Sequence, residues 1–329
     1  MRPDSDLPTL ADAARRGDRA ALARLLSTVE RGGRPSQEVA RLAYRGEVPY
    51  TVGITGAPGA GKSTLTGRLI PFVQQGWSTA SASPDGPLPV AVLAVDPSSP
   101  FTGGAILADR VRMQDHATDP NVFIRSMATR GHLGGLALAV PDAVRLLGAA
   151  GLPSVLVETV GVGQMEVEVA SATDTTVVVV TPGWGDSLQA NKAGLLEVAD
   201  LFVVNKADRP GAREARRDLD QMLDLSDLGE WRPPIVETVA ATGQGVEELW
   251  SEMRRHRRFL EESGLLAARR AERLGGELRR VLAAVLDRRV EAIAATPRFA
   301  EAVAAIADRR IDPYSAAESL LGEGPAPAT

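Results

Sequence analysis

Val48-Pro49-Tyr50-Thr51-Val52-Gly53-Ile54-Thr55-Gly56-Ala57-Pro58-Gly59-Ala60-Gly61-Lys62-Ser63-Thr64-Leu65-Thr66 is the stretch whose reading decides the fold. Tyr50 to Thr55 is apolar and β-branched, the signature of a buried strand. It breaks into a glycine-rich turn, Gly56-Ala57-Pro58-Gly59-Ala60-Gly61, after which Lys62, Ser63 and Thr64 open a helix. The spacing is G-x-x-x-x-G-K-[ST], a phosphate-binding loop. Glycines are required because the backbone must turn tightly and present successive N–H groups to phosphate oxygens. The helix N-terminus adds the positive end of its dipole. Lys62 then supplies a point charge for β and γ phosphates, and Ser63 a hydroxyl for Mg²⁺. At average composition the pattern arises at roughly one in 30,000 start positions.

Working outward, the 329 residues suffice for one large α/β domain with appendages, and 44% of them are apolar. There is no Cys, which removes disulfides, thiolate nucleophiles and zinc-finger sites together. The three histidines, His116, His132 and His256, are scattered and suggest no His-based metal cluster. A net charge of −5 argues against nonspecific nucleic-acid binding. With no signal pattern and no apolar run of 18 or more residues, a soluble, cytoplasmic protein with no membrane association is expected.

An amphipathic helix is expected over residues 9–30, with Leu22, Leu25, Leu26 and Val29 on one face, and a second over about 36–45. After the loop-bearing strand, apolar runs recur at Val90–Val95, Val122–Ile124, Ser154–Val157, Thr176–Thr181, Leu201–Val204 and Ile235–Val239. Helical patterns separate them near 62–75, 141–149, 164–171, 188–198 and 211–223, whereas 76–89 and 97–119 read as loops. Alternation of apolar strands with helices predicts an α/β, doubly wound, mainly parallel sheet covered on both faces. From Val246 the signal is helical to about residue 320, with a stripe of Val246, Leu249, Trp250 and Met253 and a broader one from Leu274 to Leu286. The arginine run Arg254-Arg255-His256-Arg257-Arg258 reads as a solvated face. The expected division is an N-terminal helical arm (1–46), a nucleotide-binding domain (47–250) and a C-terminal helical arm (251–329) ending in a disordered tail.

Asn205-Lys206-Ala207-Asp208 follows the strand Leu201–Val204 and matches N-K-x-D. A carboxylate at Asp208 accepts hydrogen bonds from guanine N1–H and its 2-amino group, whereas adenine N1 would face it with a lone pair. Thr238-Val239-Ala240, with Ala241 beyond, closes the last strand where a backbone N–H would meet the guanine oxygen. Three acids could serve Mg²⁺ and hydrolysis: Asp96 at a strand end, Asp109 in the following loop, and Glu158. Glu158-Thr159-Val160-Gly161 has the spacing of a γ-phosphate sensor, with Gly161 N–H as donor. Gln164 lies three residues on, where it could orient water or couple to a partner. The expected ligands are therefore GTP or GDP with Mg²⁺, and the expected catalytic groups are Lys62, Asp109 and Glu158.

Longer phrases extend this. Val92-Leu93-Ala94-Val95-Asp96-Pro97-Ser98-Ser99-Pro100-Phe101-Thr102-Gly103-Gly104 resembles the MeaB/ArgK-type G proteins. So do Ser126-Met127-Ala128-Thr129-Arg130-Gly131, Val157 to Gln164, and Thr181-Pro182-Gly183-Trp184-Gly185-Asp186. The likeness covers roughly residues 10–320. It implies a homodimeric GTPase of the signal-recognition-like (SIMIBI-like) branch of P-loop proteins, with the C-terminal helices making the dimer. It further implies a chaperone that gates adenosylcobalamin loading and protects a B12-dependent acyl-CoA mutase, typically methylmalonyl-CoA mutase, without itself binding cobalamin. In that resemblance Pro182 to Lys192 is an extra switch loop, with Asp186 and Lys192 coupling nucleotide state to the partner. Departures are Ala105 and Ala108 where Ser and Gly are usual, Met165 after Gln164, Asn191, and a longer 76–89 loop. The same family carries the older label of LAO/AO transport ATPase or kinase, so a protein-phosphorylating P-loop kinase is the alternative reading.

Overall fold

Every strand expected from an apolar run enters one seven-stranded sheet in the computed structural model, which describes residues 6–77, 86–97, 116, 118–129, 135–159, 172–183 and 198–322. The strands are β1 (Tyr50–Gly56), β2 (Val90–Pro97), β3 (Val122–Thr129), β4 (Ser154–Thr159), β5 (Thr175–Val180), β6 (Leu201–Asn205) and β7 (Ile235–Thr238). Their order is β3-β2-β4-β1-β5-β6-β7, and every pairing between them is parallel. The order reverses beside β1, so the phosphate-binding loop leaves the sheet at a topological switch point.

Alternate residues of each strand feed opposite faces. Val52 and Ile54 of β1, Val177 and Val179 of β5, and Leu201 and Val203 of β6 pack with α4 (Lys62–Val73) and α7 (Val246–Glu262). On the other face Leu93, Val95, Val155 and Val157 meet α1 (Leu7–Arg15), α2 (Arg19–Arg31), α3 (Gly33–Ala43) and α5 (Gly135–Ala149). Val178, Val180, Phe202 and Val204 take α6 (Ala212–Asp224) on that same face. Strands covered on both sides cannot alternate polar with apolar, which is why they read as unbroken apolar runs.

Three expectations are corrected. The helix expected over 9–30 is two, because Gly17 turns left-handed (φ 90°) and the Asp18 carboxylate accepts the N–H groups of Ala20 and Ala21 at 2.9 and 3.0 Å, starting α2 anew. The helix placed near 141 starts at Gly135 with Pro141 inside it. One lost hydrogen bond is outweighed there by burial of Val140, Ala143, Leu146 and Leu147. His256, read as part of a solvated run, is fully buried. The C-terminal stretch is helical as expected, and comprises four helices: α7, α8 (Leu265–Ala294), α9 (Pro297–Ala307) and α10 (Pro313–Leu321). The helical patterns at 164–171 and 188–198 and the tail beyond Gly322 lie outside the described residues.

The first compact unit runs to Arg273, past the limit expected at residue 250, which falls inside α7. Leu249, Trp250, Met253 and Leu260 of that helix are all buried in the core. The first turns of α8 are held by charge. Arg270 grips the buried Asp174 with Nε and Nη2 at 3.0 and 2.6 Å, Arg273 bonds the same carboxylate, and Arg269 reaches Asp200 at 2.9 Å. Burial alone would raise the Asp174 carboxyl, but the bond from Arg270 and the charges of both arginines hold it below the usual carboxylate range. Burial likewise works against Asp200, and His256 and Arg269 outweigh it. Each aspartate also accepts a backbone N–H, from Thr51 at 3.0 Å and from Thr176 at 2.8 Å. A buried chain continues from His256 Nδ1 through Thr175 Oγ1 (2.9 Å) to Tyr50 OH (2.6 Å).

The second unit is Leu274–Thr329. Along its part of α8, Leu274, Leu278, Val281, Leu282, Val285, Leu286 and Val290 are exposed. Among the described residues no helix is long and apolar enough to cross a membrane.

Candidate nucleotide site

The carboxyl ends of β1, β4, β6 and β7 bring together Lys62, Ser63, Glu158, Asn205 and Ala240. Strand register sets Ile54 beside Glu158 and Asn205 beside Thr238. Gly56 leaves β1 with φ 137°, and a methyl group there would strike the Val179 carbonyl on β5. Gly61 caps α4 in the left-handed region (φ 91°), and its missing side chain leaves room for the amide of Asn205. These two positions explain why the loop needs glycine at its ends. Ala57, Pro58, Gly59 and Ala60 lie between them, with Ala60 buried.

Lys62 is buried, and its ammonium donates to the carbonyls of Gly56 (2.6 Å) and Ala57 (3.0 Å). The cation is thus placed over the loop before any phosphate arrives. Ser63 Oγ donates to Glu158 Oε1 at 2.5 Å, both residues being buried. Thr64, next along, is exposed. Behind the pair, Thr159 Oγ1 donates to Thr55 Oγ1 at 3.0 Å, tying β4 to β1. Asp96 is placed on β2 beside Ala128. Asp109, Gly161, Gln164, Asp186 and Lys192 lie outside the described residues.

A hydroxyl and a carboxylate oxygen held side by side suit Mg²⁺, which keeps several waters and takes phosphate oxygens as further ligands. Among the described residues no group of three or more His, Asp or Glu could hold a metal ion by itself. The protein side of such a centre would be Ser63 and Glu158, completed by substrate and water.

The base half is built around Asn205. Its Nδ2 donates to Ala60 O at 2.7 Å, and its Oδ1 accepts from Thr238 Oγ1 (3.0 Å) and from the N–H of Ala240 (3.1 Å). One side chain therefore fixes the phosphate loop and the loop after β7 to each other. Lys206 adopts φ 59°, uncommon for a residue with a side chain, and its ammonium donates to Gly59 O at 2.6 Å. Ala207 N–H bonds Thr238 O at 3.0 Å, and Asp208 beyond it is exposed. Val239 pairs with Gln244 in a short antiparallel bridge that closes the turn carrying Ala240 and Ala241.

Two contacts had no sequence signal. Arg68 of α4 reaches the carbonyls of Ala240 and Ala241, 172 and 173 residues away. His116 Nε2 lies 2.9 Å from Gly67 O, the carbonyl that Pro71 cannot serve because proline has no N–H.

Residues 22–295 match the family described as methylmalonyl Co-A mutase-associated GTPase MeaB. The chain belongs to the MeaB family. A Pyrococcus abyssi protein with a provisional GTPase name is 48% identical over 321 residues, 95% of each chain. GTPase ArgK of Escherichia coli is 39% identical over 274 residues, 78% of this chain and 79% of ArgK. The mouse mitochondrial methylmalonic aciduria type A homolog is 35% identical over 278 residues, 78% of this chain and 64% of the mouse protein. A crystal structure described as that of an LAO/AO transport system kinase superposes with a TM-score of 0.67 at 27% identity, covering 98% of both chains. As a MeaB-family protein the chain is a GTPase, and the P-loop and N-K-x-D segments are the parts of it that meet at one end of the sheet.

Proposed function

We propose that this MeaB-family GTPase is a nucleotide-driven chaperone that gates adenosylcobalamin loading and protects a B12-dependent acyl-CoA mutase such as methylmalonyl-CoA mutase. The observation that carries the reading is the family match over residues 22–295, a family described by its association with that mutase. The mouse relative, whose name refers to methylmalonic aciduria, supports it.

In this reading the loop N–H groups between Gly56 and Thr64 hold the β and γ phosphates. The Lys62 ammonium turns from the carbonyls of Gly56 and Ala57 onto phosphate oxygens, a short swing between acceptors. Ser63 and Glu158, with Asp96 and Asp109, would hold Mg²⁺, which when bound neutralises charge on the β and γ phosphates. Hydrolysis then depends mainly on charge placed in advance of the reaction. Ser63 Oγ and Glu158 Oε1, bonded to each other at 2.5 Å, would both face such a centre, which would tie β4, and through it Gly161 and Gln164, to the nucleotide state. Asp208 reads the guanine edge and Ala241 its oxygen. Asp186 and Lys192 pass the nucleotide state to the mutase. The exposed apolar row Leu274 to Val290 makes a homodimer with a second copy of the chain.

The test is capture of methylmalonyl-CoA mutase on immobilised protein loaded with GDP or with a non-hydrolysable GTP analogue, paired with single-turnover hydrolysis. Nucleotide-dependent capture and faster hydrolysis with mutase are expected. Equal recovery from both forms and from an empty support, with hydrolysis unmoved, would sink the proposal.

A further inference from the structure

We infer that Arg68 is a positioning residue for base recognition: it aims the peptide N–H that meets the guanine oxygen. The inference rests on the guanine reading of the loop after β7 and assigns the part that holds that loop in shape. Arg68 sits on α4, the helix whose first turn carries Lys62 and Ser63. Its Nε donates to Ala240 O at 3.2 Å and its Nη2 to Ala241 O at 2.8 Å, so the planar guanidinium grips two successive carbonyls.

The consequence follows from peptide geometry. The carbonyl of Ala240 and the N–H of Ala241 belong to one rigid, trans peptide plane and point in opposite directions. Fixing the oxygen fixes the N–H. The other donors of this turn are already committed. Ala240 N–H bonds Asn205 Oδ1 at 3.1 Å, and the N–H groups of Thr242 and Gly243 both bond Val239 O, at 3.0 and 2.9 Å. Among the described residues the Ala241 N–H has no intramolecular acceptor, which leaves it for a ligand. A cation donating to the carbonyl of that same amide also polarises it, making its N–H a better donor. Through Arg68, the helix that holds the phosphates orients the donor that reads the base.

A lysine could reach one of the two carbonyls but lacks the fork that spans both. The discriminating experiment is calorimetric binding of GDP and ADP to the full chain, for wild type, Arg68→Ala and Arg68→Lys, with GTPase kinetics alongside. GDP offers an oxygen to the Ala241 N–H, whereas ADP offers an amino group. Arg68→Ala is expected to weaken GDP about tenfold and leave ADP within about twofold, with Arg68→Lys between it and wild type. KM for GTP is expected to rise by a similar factor while kcat at saturation holds within about twofold, because the hydrogen bond made through Ala241 is the same in ground and transition states. Thermal melting of the nucleotide-free Arg68→Lys protein checks that folding is intact. A wild type that binds GDP and ADP alike would overturn the guanine reading and this inference together. A guanine-selective wild type whose Arg68→Ala variant keeps its GDP affinity, or loses GDP and ADP affinity equally, overturns this inference alone.

Discussion

In the proposed reading Asp208 serves recognition and Lys62 serves chemistry, and single substitutions should separate the two. With amide in place of carboxylate, Asp208→Asn turns one acceptor toward guanine into a donor. GTP affinity is expected to fall at least about tenfold while triphosphate chemistry at saturation persists. Titration with GTP against xanthosine triphosphate, whose 2-oxo group matches the new donor, reads this directly. Lys62→Ala removes the buried ammonium and should cost about a hundredfold or more in single-turnover hydrolysis; a rate within threefold of wild type would refute its role. Both residues were legible in the sequence because each belongs to a short motif with fixed spacing. The Ser63–Glu158 bond at 2.5 Å was legible only as two separate candidates, since nothing in one chain read linearly states that two motifs 95 residues apart share a hydrogen bond.

At the scale of elements, α4 carries a defect and its repair. Pro71 cannot donate to Gly67 O, and His116 supplies the missing N–H at 2.9 Å. His116→Ala should destabilise the protein by about 1 kcal/mol. In a Pro71→Ala background, where the helix regains its own N–H donor, the same change should cost close to nothing, as a denaturation cycle would reveal. The base of the sheet offers a second case. Asp174→Asn leaves Arg270 and Arg273 facing a neutral group and should cost about 3 kcal/mol, near the lower end for a broken buried pair because the arginines keep about a quarter of their side-chain surface in water. The folded carboxyls of Asp174 and Asp200 lie below their ordinary value of 3.8, so their contribution is complete above that pH and is lost as pH falls through the lower folded values. Acid titration monitored by circular dichroism should therefore show stability failing below about pH 4, less steeply in the variant. Strand positions were plain from composition, because burial on both faces enforces it. The break between α1 and α2 was hidden because the apolar spacing runs on across Gly17 and Asp18, and the Asp18 cap shows only once the backbone is built.

For the whole molecule, the order of elements was readable and the long-range ties were not. Alternating strands and helices implied the doubly wound sheet, yet the links through Arg68, Tyr50 and Arg270 join residues about a hundred or more positions apart and leave no local periodicity. The compact unit ending at Arg273 contains α7 and both aspartate clamps. A chain stopped after Arg273 is therefore expected to bind GDP and to run as a monomer in light scattering, whereas the full chain is expected to run as a dimer. Stopping after residue 250 instead would remove Met253, His256 and Leu260 from the core. The clamp on Asp174 carries one more implication, for descent. Its carboxylate serves Thr51, Arg270 and Arg273 at once, so no single replacement can be neutral. Across the family these positions should drift together or not at all, with lineages that lose the aspartate also losing both arginines.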